Sequence, residues 1–162
     1  PGVEVAPHRA RPGDKVLISG GIAEHGIAIM SVREGLEFET ELETDSAALH
    51  ELTGSLLEHL GKGVPVLRDP TRGGVASALN EIAGTAGVGV VLNGGAVPVP
   101  GPVAAACEML GFDPLYIANE GRLLAIVGQE DAERVLEAMR RTRYGEESVI
   151  IGEVQETHPG RV

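Results

Sequence analysis

The sequence predicts an α+β domain in which a mixed β-sheet carries helices packed on it. Three observations lead there. Short, β-rich apolar runs alternate with longer stretches whose apolar residues recur at helical spacing. Extended pieces at 36–44 and 113–121 break a simple repeating strand–helix rhythm. The 23 glycines, about twice the usual share, gather in pairs at Gly20-Gly21, Gly73-Gly74 and Gly94-Gly95, as tight turns and close backbone approach require.

Taken in order, residues 1–12 hold Pro1, Pro7 and Pro12 beside Arg9 and Arg11, the composition of a linker, and residues 13–162 form the domain. Lys15 to Ser19 reads as a buried strand. Gly20-Gly21 ends it before a helix from Glu24 to Glu34. In 36–44, Glu37, Glu39, Glu41 and Glu43 alternate with Leu36, Phe38, Thr40, Leu42 and Thr44, an extended segment with one acidic face. Asp45 can cap a helix carrying Leu49, Leu52, Leu56, Leu57 and Leu60 as one stripe, ended by Gly61 and Gly63. Val64 to Leu67 is a short strand. A helix follows with Val75, Leu79, Ile82, Ala83 and Ala86 on one face and Gly87 as its stop. Val88 to Leu92 is β-rich, and Pro102 starts a helix that turns Val103, Ala106, Cys107 and Leu110 inward before Gly111. Arg122 to Val127 is a strand, Glu130 to Arg141 a helix with Ala132, Val135, Leu136 and Met139 inward, and Ser148 to Val154 the last strand.

Composition narrows the function. The chain has 162 residues and a net charge of −11, which argues against a basic nucleic-acid platform. Phe38, Phe112, Tyr116 and Tyr144 are its only aromatic residues, too few for base stacking. No apolar run approaches the ~20 residues of a membrane span, and the start has neither a basic nor an apolar signal core. Cys107 is the one cysteine, so no internal disulfide forms and a reducing, cytoplasmic setting is expected. His50 and His59 fall on opposite sides of their helix, and no ligand spacing points to a metal.

Three places could carry chemistry. Asp69, Thr71, Arg72, Gly73 and Gly74 lie between a strand and a helix, where free backbone N–H groups and the positive end of the helix dipole suit an anion. The same turn can equally be an ordinary one in which Asp69 or Thr71 bonds its own backbone. Glu120, beside Asn119, stands between apolar segments. Desolvation there would raise a carboxyl's pKa toward the range useful for proton transfer, although a plain turn before a strand is the alternative. His25 follows Gly20-Gly21 at a helix start, placed either to meet an anion or shuttle a proton, or simply to face solvent.

Gly13-Asp14-Lys15-Val16-Leu17-Ile18-Ser19-Gly20, Glu24-His25-Gly26-Ile27-Ala28-Ile29, Arg68-Asp69-Pro70-Thr71-Arg72-Gly73-Gly74, Ala78-Leu79-Asn80-Glu81, Asp113-Pro114-Leu115-Tyr116-Ile117-Ala118-Asn119-Glu120-Gly121 and Ile151-Gly152-Glu153-Val154, in this order, resemble the C-terminal domain of the HypE family of hydrogenase-maturation proteins. More distantly the chain resembles the second domain of the superfamily of aminoimidazole ribonucleotide (AIR) synthetase, selenophosphate synthetase and thiamine-monophosphate kinase. The resemblance implies a two-domain enzyme whose N-terminal domain binds most of the ATP and its Mg and forms a homodimer, while this domain closes the cleft. It implies an ATP-dependent dehydration of a carbamoyl group, placed on a cysteine by HypF, to a thiocyanate. The cyanide then passes to iron through the HypC–HypD complex. By the same mapping, Asp69, Thr71, Arg72, Gly73 and Gly74 line the phosphate side, Glu120 handles protons, Asn119 orients the carbamoyl group and His25 is a weaker neighbour.

The family's chains end in Pro-Arg-Ile-Cys, whereas this sequence stops at His158-Pro159-Gly160-Arg161-Val162 and shows no ATP domain before it. The expectation is therefore an excised C-terminal domain without turnover of its own, and Cys107 is no substitute for the acceptor cysteine. The alternatives are a C-terminal domain of another superfamily enzyme, of selenophosphate or AIR synthetase type, or a non-catalytic module whose acidic segment meets a basic partner.

Overall fold

The computed structural model describes residues 4–35, 43–60 and 65–162. Its centre is β1 (Lys15–Ile18), whose three apolar residues are fully buried because both faces of the strand are covered. Val16 and Ile18 face one apolar cluster with Val75, Leu79, Ile82, Val103 and Cys107, while Leu17 faces the other with Leu52, Leu56, Val135 and Met139. The period-two alternation of a strand thus divides the core between two layers of helices. On the first face lie α1 (Glu24–Glu34), α3 (Gly74–Ala86) and α4 (Gly101–Leu110). On the second lie α2 (His50–Leu60) and α5 (Ala132–Arg140).

The sheet runs β2-β4-β1-β5-β3, with β2 at Val66–Arg68, β3 at Gly89–Leu92, β4 at Leu124–Val127 and β5 at Val149–Gln155. The α+β expectation holds, but every ladder among the described residues is antiparallel, where a mixed sheet was expected. The strand–helix alternation does make β1, β2 and β3 run the same way. However, β4 and β5 slot between them in the opposite sense, so no two parallel strands are neighbours.

Most element boundaries follow local signals. Gly87 and Gly111 end α3 and α4 in the left-handed conformation, with φ of 70° and 71°. Asp45 departs from expectation. It does not cap α2, which begins at His50, because its buried carboxylate instead meets a backbone N–H and a guanidinium elsewhere in the chain. The extended piece at 113–121 contains a 3-10 turn, Pro114–Tyr116, capped by the Asp113 carboxylate on the Leu115 N–H at 2.9 Å. The acidic alternation at 36–44, apart from exposed Glu43 and Thr44, lies outside the described residues, as do Gly61, Gly63 and Val64. The described part of the expected linker is tied down: Ala6 donates to the Pro65 carbonyl at 3.1 Å and Ala10 is buried in the core.

Candidate functional site

Register brings the chemical candidates to one end of the sheet. Ile18 and Arg68, the last residues of β1 and β2, both pair with Leu124, the first residue of β4. The Ser19-Gly20-Gly21 turn into α1, the Asp69–Gly74 turn into α3 and the 113–123 segment entering β4 therefore meet along one edge.

Close backbone contact holds them there. Gly26 donates its N–H to the Ala118 carbonyl at 3.1 Å, and a Cβ on Gly26 would lie 2.4 Å from Ile117 Cγ2. Gly74, at φ 64°, would place a Cβ 2.5 Å from the Leu115 carbonyl oxygen. The first turns of α1 and α3 thus both press on residues 115–118. Glycine is required at Gly74 by conformation and by space together.

Asn119, 1% exposed, fastens the three pieces. Its Oδ1 accepts from the Ala23 N–H at 2.8 Å, and its Nδ2 donates to the carbonyls of Pro70 and Ile117, each at 3.0 Å. Both amide donors are thereby spent inside the protein. Asn119 braces the site, whereas the sequence pointed to a direct hold on a substrate group.

Glu120 is exposed, so the desolvation expected of a Glu between apolar segments is absent from this domain. Its backbone is fixed through the N–H, which donates to Asp45 Oδ1 at 3.0 Å. His25 is half-buried, with Nδ1 2.8 Å from Thr44 Oγ1. Asp69 and Arg72 are exposed and Thr71 is half-buried. Neither Asp69 nor Thr71 caps the turn. Among the described residues no side chain caps the N-terminus of α3, whose start is closed by the Gly74 N–H on the Thr71 carbonyl at 3.3 Å.

The sequence reading missed an ionic cluster beside these groups. Arg122, 14% exposed in its side chain, donates through Nε to the Gly21 carbonyl at 2.5 Å and pairs with Glu24. The same Nε stands 3.7 Å from Asp45 Oδ2, which has no hydrogen bond. A signal was present: an arginine entering a fully apolar strand must find acidic partners. A cavity of about 320 Å³ opens beside Ser19 and Arg122, edged by Arg143, Tyr144, Glu146 and Glu147. Cys107 is 2% exposed in the core; burial, with a smaller push from Asp113, raises its thiol pKa and makes it a poor nucleophile.

The chemical capability is then plain. The exposed Arg72 of the turn before α3 and the exposed Glu120 carboxylate, on a backbone held by Asp45, lie at the same sheet end, where an anion and a proton-transfer group can meet.

Comparison with known proteins gives the family and the fold. A family model described as AIR synthase related protein, C-terminal domain, matches residues 11–162. The carbamoyl dehydratase HypE of Cupriavidus necator is 57% identical over 147 residues, 91% of this chain and 42% of that protein. A crystal structure of a HypE–HypF complex superposes with a TM-score of 0.94 at 46% identity, covering 97% of this chain and 51% of that one. A crystal structure of HypE in complex with ATP gives 0.91 at 42% identity, covering 96% and 48%. The chain thus spans about half the length of the relatives it matches.

Proposed function

This chain belongs to the AIR synthase-related C-terminal domain family, and from that premise we propose that it is the C-terminal half of an ATP-dependent carbamoyl dehydratase of the HypE type. The supporting observation is the meeting of the Asp69–Gly74 turn and Glu120 at one sheet end, in a chain 57% identical to such an enzyme. The substrate is a carbamoyl group on a cysteine sulfur, and the product is the corresponding thiocyanate.

An amide oxygen is a poor leaving group. ATP, held with Mg mainly by the other half of the protein, supplies the phosphoryl group with which that oxygen departs as phosphate. The residues of this chain do the rest. Asp69, Thr71, Arg72, Gly73 and Gly74 form the phosphate side, which fits because α3 starts without a side-chain cap and Arg72 is exposed. Arg72 and the helix N-terminus steady the negative charge on the transferring group. The Glu120 carboxylate takes one N–H proton as the oxygen is phosphorylated, releases it to solvent, and takes the second as phosphate leaves and the carbon–nitrogen bond becomes triple; His25 lies on the same edge as an auxiliary proton group. Asn119 keeps both turns and the Glu120 segment in register. In this reading HypF donates the carbamoyl group, a HypC–HypD complex accepts the cyanide, the protein dimerises through its other half, and the setting is the cytoplasm.

The test is the intact mass of the full-length protein, carbamoylated on its acceptor cysteine and given Mg-ATP. Loss of one water that depends on ATP is expected. Glu120→Gln should abolish that loss while ATP binding persists. Full activity in that variant would remove Glu120 from the chemistry, and no loss in the parent would point to a different substrate or a non-catalytic role.

A further inference from the structure

Asp45 carries a carboxylate whose side chain is 0% exposed and which serves no helix. One oxygen accepts the Glu120 N–H at 3.0 Å; the other faces Arg122 Nε at 3.7 Å without a hydrogen bond. Its backbone lies directly over the next residue of the same segment, since a Cβ on Gly121 would fall 1.7 Å from the Asp45 carbonyl oxygen. Thr44, immediately before it, reaches His25. A single strand of chain therefore touches both proton-handling candidates, from a position 75 residues before Glu120.

Burying a carboxylate is costly unless the charge is matched. Arg122, 3.7 Å away without a hydrogen bond, offsets part of that cost, and it is itself held by Glu24 and the Gly21 carbonyl. The unit Asp45–Arg122–Glu24 thus joins the Glu120 backbone to the glycine turn that opens α1.

We propose that Asp45 is a positioning residue for Glu120: its carboxylate, anchored by Arg122, fixes the backbone from which Glu120 presents its own carboxylate to the substrate. This rests on the dehydratase reading for its effect on rate, but not for its effect on the Glu120 backbone. Misplacement of a reacting group by about 1 Å can cost on the order of 100-fold in rate without altering binding.

The experiment uses the full-length protein with Asp45→Ala and Asp45→Asn. It reads single-turnover water loss at saturating Mg-ATP, the ATP concentration giving half the maximal rate, and deuterium uptake at the Glu120 amide. Asp45→Ala is expected to slow water loss by about tenfold or more at unchanged ATP dependence, and to speed exchange at Glu120 by a similar factor. Asp45→Asn keeps an oxygen acceptor for the N–H and should recover most of both. Parental exchange at Glu120 in Asp45→Ala would overturn the proposal, as would rate losses in both variants that merely follow their melting temperatures. If Asp45→Ala does not fold, exchange in the parent and in Asp45→Asn decides: strong protection of the Glu120 amide in both supports the role, and exchange at the rate of an unprotected amide in the parent overturns it. A parent without ATP-dependent water loss would sink the dehydratase reading alone, since the exchange measurement still decides Asp45.

Discussion

Asn119 shows how a residue read as chemical becomes architectural. It is 1% exposed, and its amide serves Ala23, Pro70 and Ile117, which lie in three separate segments. Asn119→Ala would leave the Ala23 N–H and the Ile117 carbonyl without these partners, while the Pro70 carbonyl keeps the backbone N–H of residue 119 at 3.3 Å, at about 1–3 kcal/mol for each buried group left unsatisfied. We expect a loss of about 2–4 kcal/mol in urea unfolding of this domain; a change below about 0.5 kcal/mol, the usual range for surface positions, would mean the bracket is not structural. In the sequence Asn119 stands out because it precedes Glu120 in an apolar setting. Its role was illegible because the partners of an amide lie as far as 96 residues away in sequence.

At the level of elements, local signals were enough wherever one segment carries its own instructions. The helix read over Glu24 to Glu34 is α1, and the glycine stops at Gly87 and Gly111 stand where they were read, because a left-handed C-terminal residue is a local demand. Asp45 failed as a cap for the opposite reason: a distant N–H and guanidinium compete for it. The start of α3 gives a sharp test. Gly74→Ala needs a left-handed alanine, about 1–2 kcal/mol, and puts a methyl 2.5 Å from the Leu115 oxygen. It should cost about 2 kcal/mol or more in stability and push α3 away from residues 115–118, visible as shifted amide resonances across 115–121. Unchanged resonances there would show that the contact does not set the site.

For the whole molecule, two covered sheet faces give one domain with its chemistry at a single end. Arg72 and Glu120 are exposed at that end and His25 is half-buried. This chain spans about half the length of its relatives, and under the proposed function the remainder of the protein completes the site. The domain alone is therefore expected to turn over no ATP, measured as phosphate release with Mg-ATP. Release above the buffer rate that falls in Arg72→Ala would place a complete ATPase site in this half.

The α+β class, most helices and their ends, the inward face of Cys107 and the motifs that carry the family resemblance were already legible in the sequence. These follow from composition, periodicity and capping, which act within a few residues. The packed chain adds that β4 and β5 separate the like-directed strands, that Asn119 braces three segments, that Glu120 is exposed, and that Asp45 and Arg122 lie beside it. Those outcomes depend on which distant groups compete for a strand edge, a hydrogen bond or a buried charge, and that competition is settled only when the chain is packed.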